Sequence, residues 1–415
     1  MLPPFSGAAI SQNVVTNSQS LQTDVTSDQT LNVVDTSGAV SSVATSTGNN
    51  LLAATANGSL DVESTQTMPG NVTGNVSAVS HTFITTNAGD VTSLAAATGN
   101  TAEGDSDGSQ GGGPLTGNFT QSAAATWNVK SETDFQAPLA QASSASVSSQ
   151  AIANSLGFAV TDTSSNVTTN QTNSALVDAE GGSEVGGGSG ATLQFTGGTA
   201  AFSTTAVGNN LTGTGTGDAS QTINATQLAN GPLVQAAGFV NIGNGQTVEG
   251  DATATANNLA VTNTEGPLVV TNNQTNDTNF TFADSVASDF QFGTGQATAF
   301  GVGNSALAGN QGPSTDLNNV QVNNGGIQAV ASFTGDNGFD ATSSATAMGN
   351  AAIGFACSQC GGVINIANNQ TTTGGGVEAD STINITNING NNRSTTGIAT
   401  AVGNNATFYV SKPTN

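Results

Sequence analysis

Ala345-Thr-Ala-Met-Gly-Asn350 and Ala399-Thr-Ala-Val-Gly-Asn404 are near copies of one hexapeptide, and ATAFGVGN from Ala297 to Asn304 is a third copy with two residues added. Weaker copies end at Asn49 (ATSTGN), Asn100 (AAATGN), Asn154 (AIAN), Asn209 (TTAVGN) and Asn257 (TATAN). Successive asparagines are 51, 54, 55, 48, 47, 46 and 54 residues apart, a period near fifty that holds from end to end. A fixed period of this length marks an array whose units bury a common face only by stacking on one another.

A second register is phased with the first. Gln-Thr or Asn-Gln-Thr follows most copies, at Gln66, Gln171, Gln221, Gln274 and Gln370, with Gln19 as an earlier unpaired copy. In the unit after Asn304 the slot reads Val322-Asn323-Asn324. A third, looser motif alternates apolar and small polar residues, as in Val76 to Phe83, Leu233 to Val240, Ile327 to Phe333 and Gly376 to Ile383. Period-two alternation is the pattern of strands with one face in and one face out. The inward residues are mostly Ala, Val and Thr, so the core is narrow.

These readings predict an all-β chain: an elongated β-solenoid of about eight repeats, forming a single domain over 1–415. Asn and Gly at the segment ends read as turn residues, because both reach left-handed backbone conformations cheaply. On this reading Asn49, Asn100, Asn209, Asn304, Asn350 and Asn404 are the structural turn positions, and stacked amides hydrogen-bond along the axis. One unit fits either a single wide three-sided coil or two narrow ones. Helix is disfavoured by the density of Gly, Asn and Thr, and only Phe135 to Ala153 has a composition that allows it. Two segments, 103–114 (EGDSDGSQGGGP) and 181–190 (GGSEVGGGSG), read as flexible Gly-rich loops projecting from the stack.

Composition narrows the partners. Against 27 Asp and Glu the chain has 3 Lys and Arg, a net charge of −24. Nucleic acid and anionic membrane surfaces are both bound through clustered basic side chains, so neither is a partner. Apolar runs are too short for a membrane-spanning helix. Met1 to Gly7 lacks the basic and apolar regions of a signal peptide, and the expectation is that export processing precedes it.

Candidate chemistry is sparse. The single histidine, His81, lies in an alternating segment and reads as a surface strand residue. Asp61 with Glu63, and Glu378 with Asp380, are carboxylate pairs on one strand face, as glycan cleavage requires. Sugar-cleaving clefts also use aromatic platforms, and the chain has one Trp and one Tyr. Cys357-Ser-Gln-Cys360 sits among glycines and reads as a disulfide clipping one loop, since a zinc site needs two more ligands. Asp105-Ser-Asp107-Gly108 lacks the remaining ligands of a calcium loop. No catalytic residue, metal site or cofactor is predicted.

The Ala-x-x-Gly-Asn and Asn-Gln-Thr units resemble the repeats of curli-type surface proteins, although those subunits are shorter and their repeats about half as long. In length, acidity and Asn/Thr content the chain resembles the holdfast-anchoring surface proteins of stalked bacteria, their large D member in particular. That resemblance implies an extracellular, outer-membrane-associated position at the cell pole. It also implies attachment of an extracellular polysaccharide, a curli-like outer-membrane export channel and a small curlin-like partner. Independently of it, the unpaired strands at the ends of a solenoid suggest end-to-end stacking of copies. The alternatives are a curli-like amyloid subunit and a β-helical glycan-active enzyme or spike.

Overall fold

The computed structural model describes residues 12–35, 38–137, 141–183, 194–195, 198–357, 362–386 and 394–411. Every strand pairing among them is parallel. Each repeat is one wide coil of three strand segments, so the choice between wide and narrow coils falls on the wide one.

The first segment of each coil carries the Gln motif. These glutamine strands run from Gln12–Ser20 through Gly58–Met68, Gly112–Ala123, Ser165–Asn173, Gln221–Ala229, Leu268–Asn276 and Ser314–Asn323 to Val363–Thr372, and form an eight-stranded sheet in sequence order. The second segment bridges to the third, as in Val25–Val33, Gly74–Ile84, Trp127–Gln136 and Val377–Thr386. The third carries the Ala-x-x-Gly-Asn motif in long strands such as Val40–Thr55, Asp90–Asp107, Ser144–Thr161, Asp340–Cys357 and Ser394–Ser411. In Leu233–Asn263 and Phe280–Asn310 the bridging and asparagine segments are continuous strands of 31 residues, which merge both faces into one sixteen-stranded sheet. At a strand spacing of about 4.8 Å, eight coils make a stack roughly 40 Å long.

The asparagine strand bends at its motif. Thr98 pairs with Ile152 and Asn100 with Asn154, which leaves Gly99 and Ala153 outside the ladder and turns two consecutive residues inward. The motif is therefore a corner within a strand, and the left-handed turns predicted there lie elsewhere, at Asp162, Asn337 and five glycines including Gly58 and Gly111. What selects Gly at the corner is close approach between coils. A Cβ on Gly99 would stand 2.6 Å from the Ala153 carbonyl oxygen, and one on Gly349 would stand 2.5 Å from that of Gly403.

Two apolar cores flank the corner. Before the bend the asparagine strand packs on the bridging strand through Ala95, Val147 and Ala206 against Val76, Val129 and Val177. Beyond it, Leu156, Leu211 and Leu259 pack against Leu60, Leu115, Val167 and Ile223 of the glutamine strands. Alanine keeps the faces close, and aromatic rings fill space left by glycine. Phe119 covers Gly117, and Phe333 covers Gly295. Phe135–Gln136 and Ser144–Ala153 are strand, so the segment that composition allowed to be helical is not. In the Glu103–Pro114 segment, residues 103–107 end one strand and 112–114 begin the next, around a single 3-10 turn at Gly108–Gln110. Of 181–190, Gly181–Ser183 is strand and the remainder lies outside the described residues.

Candidate functional site

Each corner asparagine is a rung of one ladder. The Asn49 Nδ2 donates to Asn100 Oδ1 at 2.7 Å, and the same bond recurs through Asn154, Asn209, Asn257, Asn304 and Asn350 to Asn404 at 2.7–2.8 Å. The second amide proton goes to the backbone of the next coil's glutamine strand. Asn49, Asn154 and Asn209 donate to the carbonyls of Thr67, Thr172 and Leu228, each at 2.9 Å.

The glutamines form a second ladder that runs the opposite way. Gln66 Nε2 donates back to Gln19 Oε1 at 2.8 Å, and Gln121, Gln171, Gln227, Gln274, Gln321 and Gln370 each donate to the preceding member at 2.7–2.9 Å. Their second proton goes to the carbonyl one residue past the corner asparagine, as from Gln66 to Thr101 and from Gln121 to Ser155. In an interior rung both protons and the side-chain oxygen are used, so each rung's own amide is satisfied. Such bonds polarise one another in a low-dielectric interior.

Sequence reading misplaced part of this ladder. Gln221 carries the Gln-Thr motif, but it sits at a strand start and donates to the Thr262 carbonyl and Asn263 Oδ1. The rung of that coil is Gln227, which stands opposite Gln171. Gln121 and Gln321 are rungs without the full motif, and Gln321 directly precedes the Val322-Asn323-Asn324 stretch that occupies the slot in the sequence. The signal available in the sequence was distance. Gln66, Gln121 and Gln171 all follow their corner asparagine by 17 to 21 residues, as do Gln227 and Gln321.

Outside, the glutamine sheet presents parallel columns of short polar side chains. One column runs Thr16, Glu63, Asn118, Thr168, Asn224, Thr271, Asn318, Ala367, all exposed. A neighbouring column runs Ser18, Thr65, Thr120, Asn170, Thr226, Asn273, Val320, Asn369. Near the C-terminal end a shallow groove of about 550 Å³ opens on this sheet between Thr271, Asp316, Asn318 and Asn365. The result is a flat lattice of hydroxyls and amides, repeating at the strand spacing of about 4.8 Å along the stack.

The bridging face is more charged. Lys130 Nζ lies 3.1 Å from Glu180, 3.6 Å from Asp178 and 3.9 Å from Glu132. Burial, followed by the neighbouring Glu180, pushes the Asp178 carboxyl up to about 6 despite the lysine. His81 Nδ1 stands 3.4 Å from Asp134, one coil on. Glu378 and Asp380 share an exposed face of the last bridging strand, and Asp61 and Glu63 share the outer face of the second glutamine strand. Cys357 ends its strand, whereas Cys360, and with it the expected disulfide, lies outside the described residues. Among the described residues no group of three or more His, Cys, Asp or Glu could hold a metal ion.

One interior carboxyl stands apart. Asp289 is 3% exposed; one oxygen accepts the Gln291 backbone N–H at 3.0 Å, and Oδ2 is buried without a partner. Burial pushes its pKa up to about 8, against the opposing effect of backbone N–H groups. The folded form therefore holds a proton that the unfolded chain releases near pH 4, and stability falls as pH rises from about 4 to about 8. Asp289→Asn is expected to flatten that decline and to stabilise the protein above pH 8 by about 1–3 kcal/mol. Thermal melts of both proteins across the window test this, and identical pH profiles would exclude it.

Stacked parallel coils, two amide ladders that run the length of the stack and a polar outer lattice define a β-solenoid of structural type. Comparison with protein families then places the chain. The model of holdfast attachment protein D matches residues 34–326, well over half of the chain, and the chain belongs to that family. Its role is in holdfast attachment, a structural task carried out at the cell surface. Searches of curated proteins and of solved structures found no match.

Proposed function

We propose that the protein is a non-catalytic rod that fastens an extracellular polysaccharide to the bacterial outer envelope, and that the glutamine face is its glycan-contacting surface. The columns of exposed Thr and Asn carry this reading. A polysaccharide offers hydroxyls at short regular intervals, and a rigid lattice of donors and acceptors meets them with little ordering cost. Many weak contacts along the stack then add as one multivalent attachment. The net charge of −24 favours a neutral or cationic glycan over an acidic one. By resemblance, the partners at the envelope are a curli-like export channel and a small curlin-like subunit.

Replacing Thr168, Asn224, Thr271 and Asn318 together by alanine, which removes the hydroxyls and amides without stacking like charges on neighbouring strands, would test the face. The variant is expected to fold, since all four side chains are exposed. Cells carrying it should make polysaccharide but shed it into the medium, as should cells lacking the gene. Normal retention and adhesion in the variant would move the contact to another face, and normal retention in the deletion strain would end the anchor reading.

A further inference from the structure

We propose that copies of this chain stack head-to-tail, the C-terminal coil of one seated on the N-terminal coil of the next, and that the opposed polarity of the two ladders sets this direction. The observations are the unsatisfied groups at the two ends. At the C-terminal end Asn404 accepts from Asn350 and Thr372, but among the described residues its own Nδ2 has no acceptor, and Gln370 donates twice while its Oε1 has no donor among them. At the N-terminal end the reverse holds. Among the described residues Asn49 donates twice with no donor to its Oδ1, and Gln19 Nε2 donates once, to the Asn50 carbonyl, leaving a proton over.

Seating one end on the other in the interior register places Asn404 over Asn49 and Gln370 over Gln19. Both ladders then continue, each with a free donor meeting a free acceptor. Strands stay parallel only in this orientation. Two C-terminal ends would meet antiparallel, and the rungs would leave their columns.

The apolar residues agree with the same register. Val15, Val25, Leu31 and Val33 at one end, and Ile366, Val377, Ile383 and Ile385 at the other, are half-buried side chains packed against the cores. Continuing the register sets Ile366 over Val15, Val377 over Val25, Ile383 over Leu31 and Ile385 over Val33, apolar on apolar in every case. One pair opposes the stack: Asp380 falls over Asp28, both exposed and outward-facing. Directly opposed like charges on neighbouring strands repel, so the joint is held by ladders and core and weakened by this pair.

The ends of the rod are separate from the faces proposed to bind glycan. Its test uses the purified full-length chain. Sedimentation is expected to show association into linear multimers. Asn404→Asp keeps the acceptor for Asn350 but sets an oxygen against Asn49 Oδ1, and should weaken association about tenfold or more. Asp380→Asn should strengthen it several-fold. Direction is read by cross-linking with Cys357 and Cys360 replaced by serine. Ser20→Cys and Thr371→Cys proteins, whose sites are exposed neighbours in the stacked register, should form a disulfide when mixed and neither should do so alone. A protein monomeric up to its solubility limit would overturn the proposal. So would disulfide dimers of the Thr371→Cys protein alone, or an Asn404→Asp protein that associates as the parent does.

Discussion

Asn209→Leu is expected to destabilise the protein by roughly 3–5 kcal/mol, and Asn404→Leu by about 1 kcal/mol or less, although both remove the same residue of the same motif. Asn209 has no solvent exposure. It donates to Asn257 Oδ1 at 2.8 Å and to the Leu228 carbonyl at 2.9 Å, and accepts from Asn154 at 2.8 Å. Leucine matches its size but strands three buried polar groups, each of which costs about 1–3 kcal/mol when left unpaired. In a single unassociated chain, the state in which the two variants are compared, Asn404 is exposed and serves as an acceptor for Asn350 and Thr372, groups that water can satisfy in its place. Because repeat arrays can lose cooperativity, amide exchange is the better measurement beside the thermal midpoint. Protection should fall on both sides of the Asn209 rung. Equal shifts for the two variants would show that the ladder is incidental to stability.

Trp127→Ala should cost about 3–5 kcal/mol, the usual loss when a large aromatic leaves a packed core. Trp127 is fully buried at the start of its bridging strand, and its ring fills the space above Gly74, where a Cβ would lie 2.5 Å from Cζ3. Its Nε1 donates to the Pro69 carbonyl at 3.0 Å, which ties the turn after one glutamine strand to the next coil. The two contributions separate by substitution. Trp127→Phe keeps most of the volume and loses the hydrogen bond, so it should cost about 1–3 kcal/mol, less than alanine. Denaturation followed by circular dichroism checks the order, and a phenylalanine variant as unstable as the alanine one would show that the hydrogen bond dominates.

Much of this molecule was legible because a repeat writes its fold many times over. The all-β class followed from period-two alternation, and the stack from the corner asparagines, which recur in every coil and occupy one column of the structure. The physical role of those residues is not what their type suggests. Asn and Gly suggested left-handed turns, whereas the asparagines point inward from a strand bend and the glycines yield to the backbone of the next coil. The outer lattice was hidden for another reason. Thr168, Asn224 and Thr271 belong to no motif, and only the pairing of strands aligns them.

The sequence by itself determined the strand content, the period near fifty residues and the asparagine column, since these depend on alternation and spacing along the chain. Tertiary structure decided the rest: one wide coil per repeat, Gln227 rather than Gln221 as a rung, and the direction of each ladder. An amide side chain donates and accepts with equal ease, so residue type leaves its polarity open. The carbonyls each amide also reaches, past the glutamine for Asn and past the corner for Gln, turn the two columns in opposite senses and give the rod distinguishable ends.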